Sequence, residues 1–242
     1  MRGGEVASGA GDWNWNTPGV RPDYDPLDDP PWAMQLVVRV EKADPPSHDA
    51  VCAAAATAVV RLLTDPRADG PEGEWHARVH GWESRRIRKV ARRARGIRWP
   101  EVQELPGVTA EAYGAQARAF PPGPMDEVPP QIAKLQVAGL DQPPAEEPLP
   151  PPDGPYAAIA LNPDVTMTTG KAAAQCGHAA HLLLRQAGGR ARKRWLENGL
   201  RVHLARDVPW HDCVDRATVA VRDGGFTEVP PGTMTAIAWI VG

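Results

Sequence analysis

Two stretches of the chain carry the same hydrophobic pattern. MQLVVRV at 34–40 and YAAIAL at 156–161 are short, nearly continuous apolar runs of the length of a buried strand. Each is followed by a polar, proline-containing loop and then by a long alanine-rich segment. DAVCAAAATAVVRLL at 49–63 ends near Asp65-Pro66, and TMTTGKAAAQCGHAAHLLLRQ spans 166–186; both read as helices. Ile87, Val90, Ala91 and Ala94 recur at helical spacing, which predicts a second, basic helix over Glu83 to Arg95. Further strands are predicted near 115–120, 132–137, 201–205, 218–222 and 235–241, with a basic helix near 190–198 and a short helical piece near 210–217. This alternation predicts an α/β fold with helices covering the sheet.

Composition divides the chain. Of its 242 residues, 42% are hydrophobic, which supplies a core, while 27 prolines against two phenylalanines assign part of the length to linker and tail. Residues 1–31 mix Gly, Asp, Asn and Pro without periodicity and are expected to be a disordered or loosely docked tail. GLDQPPAEEPLPPPDGP at 139–155 reads as an extended linker, so the predicted domains are 32–138 and 156–242. No apolar run has the length of a membrane span and the start lacks a signal-peptide core, so a cytoplasmic protein is expected. The three cysteines form no CxxC pair, and the histidines show no ligand spacing; no metal is expected. Net charge is only −3, yet RRIRKVARRARGIR from Arg85 to Arg98 holds eight basic residues and no acid. Arg85, Arg88, Lys89, Arg92 and Arg95 are candidates for contacting RNA phosphates, or equally for a solvated face paired with the acidic tail.

The halves align without gaps over CAAAATAVVR from Cys52 and CGHAAHLLLR from Cys176, and again over MDEVPP from Met125 and FTEVPP from Phe226. Both anchors are expected just before or within equivalent elements, which suggests a duplication. Under this alignment Lys171, Gln175 and His178 stand opposite Ser47, Val51 and Ala54, while Asp223 and Thr227 stand opposite Pro122 and Asp126. The first half lacks the polar set of the second.

On a helix, Lys171, Gln175, His178 and Arg185 share one side, and Ala172, Cys176, Ala179, Ala180 and Leu183 form the other. Gly170 at the helix start allows a close backbone approach beside N–H groups that favour an anion, a phosphate or a developing oxyanion. A solvated face with a helix-start glycine fits the spacing as well. Cys176 and His178, two residues apart, point in nearly opposite directions and form no dyad. In VRDGGFTEVPPGTMT an aspartate closes a strand and hydroxyls follow, a pattern that suits water activation or an ordinary hairpin.

MTTGKAAAQCGHAA and VRDGGFTEVPPGTMT together resemble the two signatures of the type II, archaeal and eukaryotic, peptidyl-tRNA hydrolases and their bacterial relatives. The resemblance covers about 156–242 and implies a mixed four-stranded sheet with flanking helices, here present as a tandem whose N-terminal copy is degenerate. It implies hydrolysis of the ester linking a peptide or N-blocked aminoacyl group to tRNA, without cofactor. The alternative is an inactive module of the same fold that binds tRNA or a protein. It also implies catalytic roles for Lys171, Asp223 and Thr227, substrate contacts by Gly170, Gln175, His178 and Thr233, and a dimer for which the first copy could substitute. The chain departs from the pattern at Thr169, where many members have lysine, at Asn162-Pro163 and at Gly224.

Overall fold

A computed structural model describes residues 30–224 and 229–242. The predicted tail 1–31 therefore falls, but for its last two residues, outside the described residues, as does Thr227. The chain forms two mixed sheets with flanking helices. The first unit runs β1 (Trp32–Arg39), α1 (His48–Leu63), α2 (His76–Glu83), β2 (Arg88–Ala94), α3 (Arg98–Gln103), β3 (Val108–Ala112), β4 (Ala115–Ala119), the two-residue β5 (Gly123–Pro124) and α4 (Pro130–Ala133). The second runs β6 (Tyr156–Leu161), α5 (Thr169–Gln186), α6 (Gly189–Glu197), β7 (Val202–Leu204), α7 (Trp210–Arg216), β8 (Val219–Arg222) and β9 (Met234–Val241).

The two sheets are built alike. Strand order is β2-β1-β4-β3 in one and β7-β6-β9-β8 in the other, with β5 appended to β1. In each the first strand is parallel to its crossover partner and antiparallel to the last. A detail repeats as well: Trp82 Nε1 donates to the Arg88 carbonyl at 3.1 Å, and Trp195 Nε1 to the Arg201 carbonyl at 2.8 Å.

The alanine-rich segments become helices because a hydroxyl caps each start. Ser47 accepts from Ala50 N and Thr168 from Lys171 N, both at 3.3 Å. Small side chains then let α1 and α5 pack directly on one another, with Cys52 and Cys176 in contact and both buried. Each helix covers its own sheet and reaches the edge strand of the other, α5 to β2 and α1 to β7. One continuous core results, holding Met34 and Leu36 of the first sheet together with Ile159 and Ala238 of the second.

Four expectations are corrected. The basic stretch is not a helix: α2 ends at Glu83 and Arg88–Ala94 forms β2. Its residues are in contact on both faces, and the long stems of Lys89 and Arg92 bury while their polar ends find partners. The Arg92 guanidinium, for instance, donates to Gln35 Oε1 at 3.0 Å and to the Leu135 carbonyl at 2.8 Å. The strand expected at 132–137 is the short α4, started by Pro130, followed by a single bridge between Gln136 and Arg93. MDEVPP follows β4 and does not precede it, so the second anchor of the repeat fails. The true counterpart of the β8–β9 connection is the tight turn Tyr113-Gly114, both at positive φ.

The linker is the fourth case. Residues 139–155 form no helix or strand, but they are docked as a strap over the paired starts of α1 and α5. The Leu140 carbonyl accepts Gly170 N at 2.9 Å and the Pro143 carbonyl accepts His48 N at 2.8 Å. Leu140 itself is buried in the shared core. Arg206 and the backbone of Ala145 both meet the buried Asp49 carboxylate, at 2.9 and 2.7 Å. Proline content marked an extended conformation, not a free one.

Candidate functional site

Helix α5 places Lys171, Gln175 and His178 along one face, and β8 brings Asp223 to it from its C-terminal end. Lys171 Nζ forms an ion pair with Asp223 Oδ2. Gln175 Nε2 donates to the same oxygen at 2.6 Å. Thr235 Oγ1 donates to Gln175 Oε1 at 2.8 Å, which turns the amide so that its NH2 faces the carboxylate. The lysine and aspartate side chains are only 12% and 5% exposed, so the face is a lined wall rather than a solvated one.

The loop ends hold Asp223 in place. Asp223 N donates to the Thr233 carbonyl at 2.9 Å and Gly232 N to the Asp223 carbonyl at 2.7 Å. Gly232 has φ 81, the left-handed conformation a glycine accommodates without strain. Thr233 thus contributes its backbone carbonyl, while the hydroxyl that enters the network is that of Thr235, which sequence reasoning missed. The reason is a bulge: Val221 pairs with Ala236 and Arg222 with Met234, so Thr235 is the extra residue and its side chain is re-aimed at α5.

The helix start differs from the expected anion site. Thr169 N bonds Asp141 Oδ1 at 3.4 Å, Gly170 N bonds Leu140 O, and Lys171 N bonds the Thr168 hydroxyl. The close approach beside Gly170 is that of the strap residue Leu140, whose Cβ would lie 3.5 Å from a Cβ placed on the glycine. Cys176 lies in the α1–α5 contact; its side chain, with burial, pushes the Cys52 thiol well up in pKa, which suits packing more than nucleophilic chemistry.

His178 meets a residue of the first unit. Lys89 Nζ lies 3.2 Å from His178 Nδ1 and 3.3 Å from His181 Nδ1. His181 Nε2 is 2.8 Å from Glu83 Oε1, which also takes Arg185 NH2 at 2.6 Å, and the imidazole stacks on Trp82. Of the five basic candidates, Lys89 and Arg92 are buried, Arg85 and Arg88 are partly buried with Arg85 over the Trp32 ring, and Arg95 is exposed. They share no single solvent-facing side.

Burial pushes the pKa of His181 down to about 4, with the Lys89 charge adding to it and Glu83 opposing. Burial would raise the pKa of Glu83, but the His181 and Arg185 interactions outweigh it and hold the carboxyl at about 2. The unfolded chain therefore binds protons that the folded one refuses. For His181 the window runs from pH 6.5 down to about 4; for Glu83 it runs from 4.5 down to about 2. Stability rises with pH through both windows. Lowering the pH from about 7 to 5 is expected to cost on the order of 1–2 kcal/mol through His181. Thermal melts across that range check this: the slope should flatten in His181→Gln.

A family model described as Peptidyl-tRNA hydrolase PTH2 matches residues 156–206. The peptidyl-tRNA hydrolase of Pyrobaculum aerophilum is 42% identical over 93 residues, covering 33% of this chain and 78% of that protein. The peptidyl-tRNA hydrolase of Haloquadratum walsbyi is 33% identical over 92 residues, covering 34% of this chain and 80% of that protein. The family-model match lies within the second unit.

Proposed function

Because the chain belongs to the peptidyl-tRNA hydrolase PTH2 family, we propose that its second unit hydrolyses the ester of peptidyl-tRNA or of an N-blocked aminoacyl-tRNA, with the first unit a degenerate copy of the same fold. The observation that carries this reading is the convergence of Lys171 and Gln175 on one oxygen of Asp223 in a mostly buried setting. In it, Asp223 orients a water and takes its proton as the oxygen attacks the ester carbonyl carbon. Lys171 leaves the carboxylate to meet the oxyanion that forms. The tetrahedral intermediate then expels the ribose oxygen, which recovers the proton, and the free acid and tRNA depart. Thr227, four residues after Asp223 in the sequence, and Thr233 complete the proposed substrate contacts. No organic or metal cofactor enters this scheme.

Phosphate contacts fall in this reading to exposed cations elsewhere on the surface, Arg190, Lys193 and Arg194 of α6 and Arg95 beyond β2. A soluble tRNA substrate agrees with a cytoplasmic setting, and among the described residues no helix is long and apolar enough to cross a membrane. The alternative, an inactive tRNA-binding module, draws on the ion pair that occupies Lys171 and on the helix start already bonded to the strap.

The deciding experiment follows acyl release from an N-blocked aminoacyl-tRNA by the full chain. Turnover at ample enzyme supports the hydrolase. Salt-dependent tRNA binding without turnover would replace it by the binding module.

A further inference from the structure

The cluster around Lys89 plays no part in the scheme just given, and it joins the two units. Lys89 comes from the edge strand of the first sheet, is 8% exposed, and reaches over α5 at Gly177. A Cβ at residue 177 would stand 3.1 Å from both Lys89 Cδ and Val59 Cγ2, so the glycine makes the room through which the lysine stem passes. Its amine then sits between Nδ1 of His178 and Nδ1 of His181, 4.7 Å from the centre of the Trp82 ring. A side chain at 177 would press on this stem and shift it.

Proton placement follows from the partners. A carboxylate only accepts, so His181 Nε2, bonded to Glu83, carries the hydrogen and leaves Nδ1 bare for Lys89. An amine has two hydrogens when neutral and three when charged, so either form can donate to both rings. The charges facing it are Glu83 and Arg185 through His181, and Lys171 along the same helix.

We propose that Lys89, supplied by the first unit, is a positioning residue of the second unit's site: it donates to His178 Nδ1 and fixes that imidazole as the Nε2–H tautomer. His178 lies two helical turns from Lys171 on the face that also carries Gln175, and it is partly exposed. So held, it offers an N–H donor to a hydroxyl or carbonyl oxygen of the acylated terminal nucleotide. This role rests on the hydrolase reading; the tautomer does not. The degenerate unit is thereby tied to the chemistry and is more than a scaffold.

The test uses the full chain with 15N-labelled histidine, with long-range proton–nitrogen correlations reporting each ring and His178→Gln giving the assignment. His178 is expected to carry hydrogen on Nε2 at about neutral pH, and an Nδ1–H ring in the wild type overturns the proposal without any variant. In Lys89→Met, which keeps the stem, the ring is expected to lose its single tautomer and kcat to fall roughly ten-fold with KM little changed. Gly177→Ala, which presses on the same stem, is expected to act in the same direction and serves if Lys89→Met does not fold. Unchanged tautomer and kcat in the folded variant overturn the role. If the wild type proves inert while the tautomer depends on Lys89, the contact stands and the hydrolase reading is what fails.

Discussion

Replacing Asp223 by asparagine is expected to lower kcat for acyl release by roughly 10²–10⁴-fold, with tRNA affinity changed only a few-fold. The substitution keeps the shape and leaves an oxygen for the Gln175 amide at its 2.6 Å position, but removes the charge that takes the proton from water. Lys171 is near enough to solvent, at 12% exposure, to turn outward, so the fold should survive. Lys171→Met is expected to lose a comparable factor, and the double variant little more than either alone, because the two groups act as a pair. Single-turnover rates for the three proteins check this. Additive losses would mean that the two groups act independently, and rates left nearly unchanged would mean that the ion pair is structural and that the reacting groups lie elsewhere.

The second large effect concerns the partnership of the units. Expressed alone, residues 156–242 would expose the side of α5 that α1 covers, which includes Cys176 against Cys52 and Gly177 against Val59, both buried in the whole chain. A contiguous apolar face larger than roughly a few hundred Å² does not stay bare in water. The fragment is expected to dimerise or aggregate in sedimentation experiments, whereas the full chain, with the face already covered from within, should sediment as a monomer. A monomeric fragment that melts at the full chain's temperature would show that α1 contributes little.

Much of this site was legible in the sequence because helical spacing is a strong constraint. Lys171, Gln175 and His178 share a face on any regular helix, and an aspartate closing a strand before Gly-rich loop residues stands out. Thr235 was hidden since strand alternation alone would not aim it at Gln175; a bulge does, and a bulge depends on how β8 and β9 register. The segment RIRKVARRA reads as a helix because its apolar residues fit a 3.6-residue period as well as a strand, and arginines with long stems read as surface. What decided it was the need of β1 for a parallel neighbour, a tertiary demand no local window contains. The repeat is visible in the alanine-rich helices and misplaced at MDEVPP, because a short run of an acid and two prolines recurs readily without common origin.

The strap also bears on the order of events as the protein is made. A chain emerging from the ribosome presents α1 with an apolar side whose cover, α5, lies more than a hundred residues downstream. Until then the first half has a sheet and a helix but only part of its interior. The strap comes next in the chain and, in the folded protein, bonds the start of α1 through Pro143, while the same few residues receive Thr169 and Gly170. Residues 140–143 thus join the starts of both helices, so that the core left open by the first half is closed from within one chain.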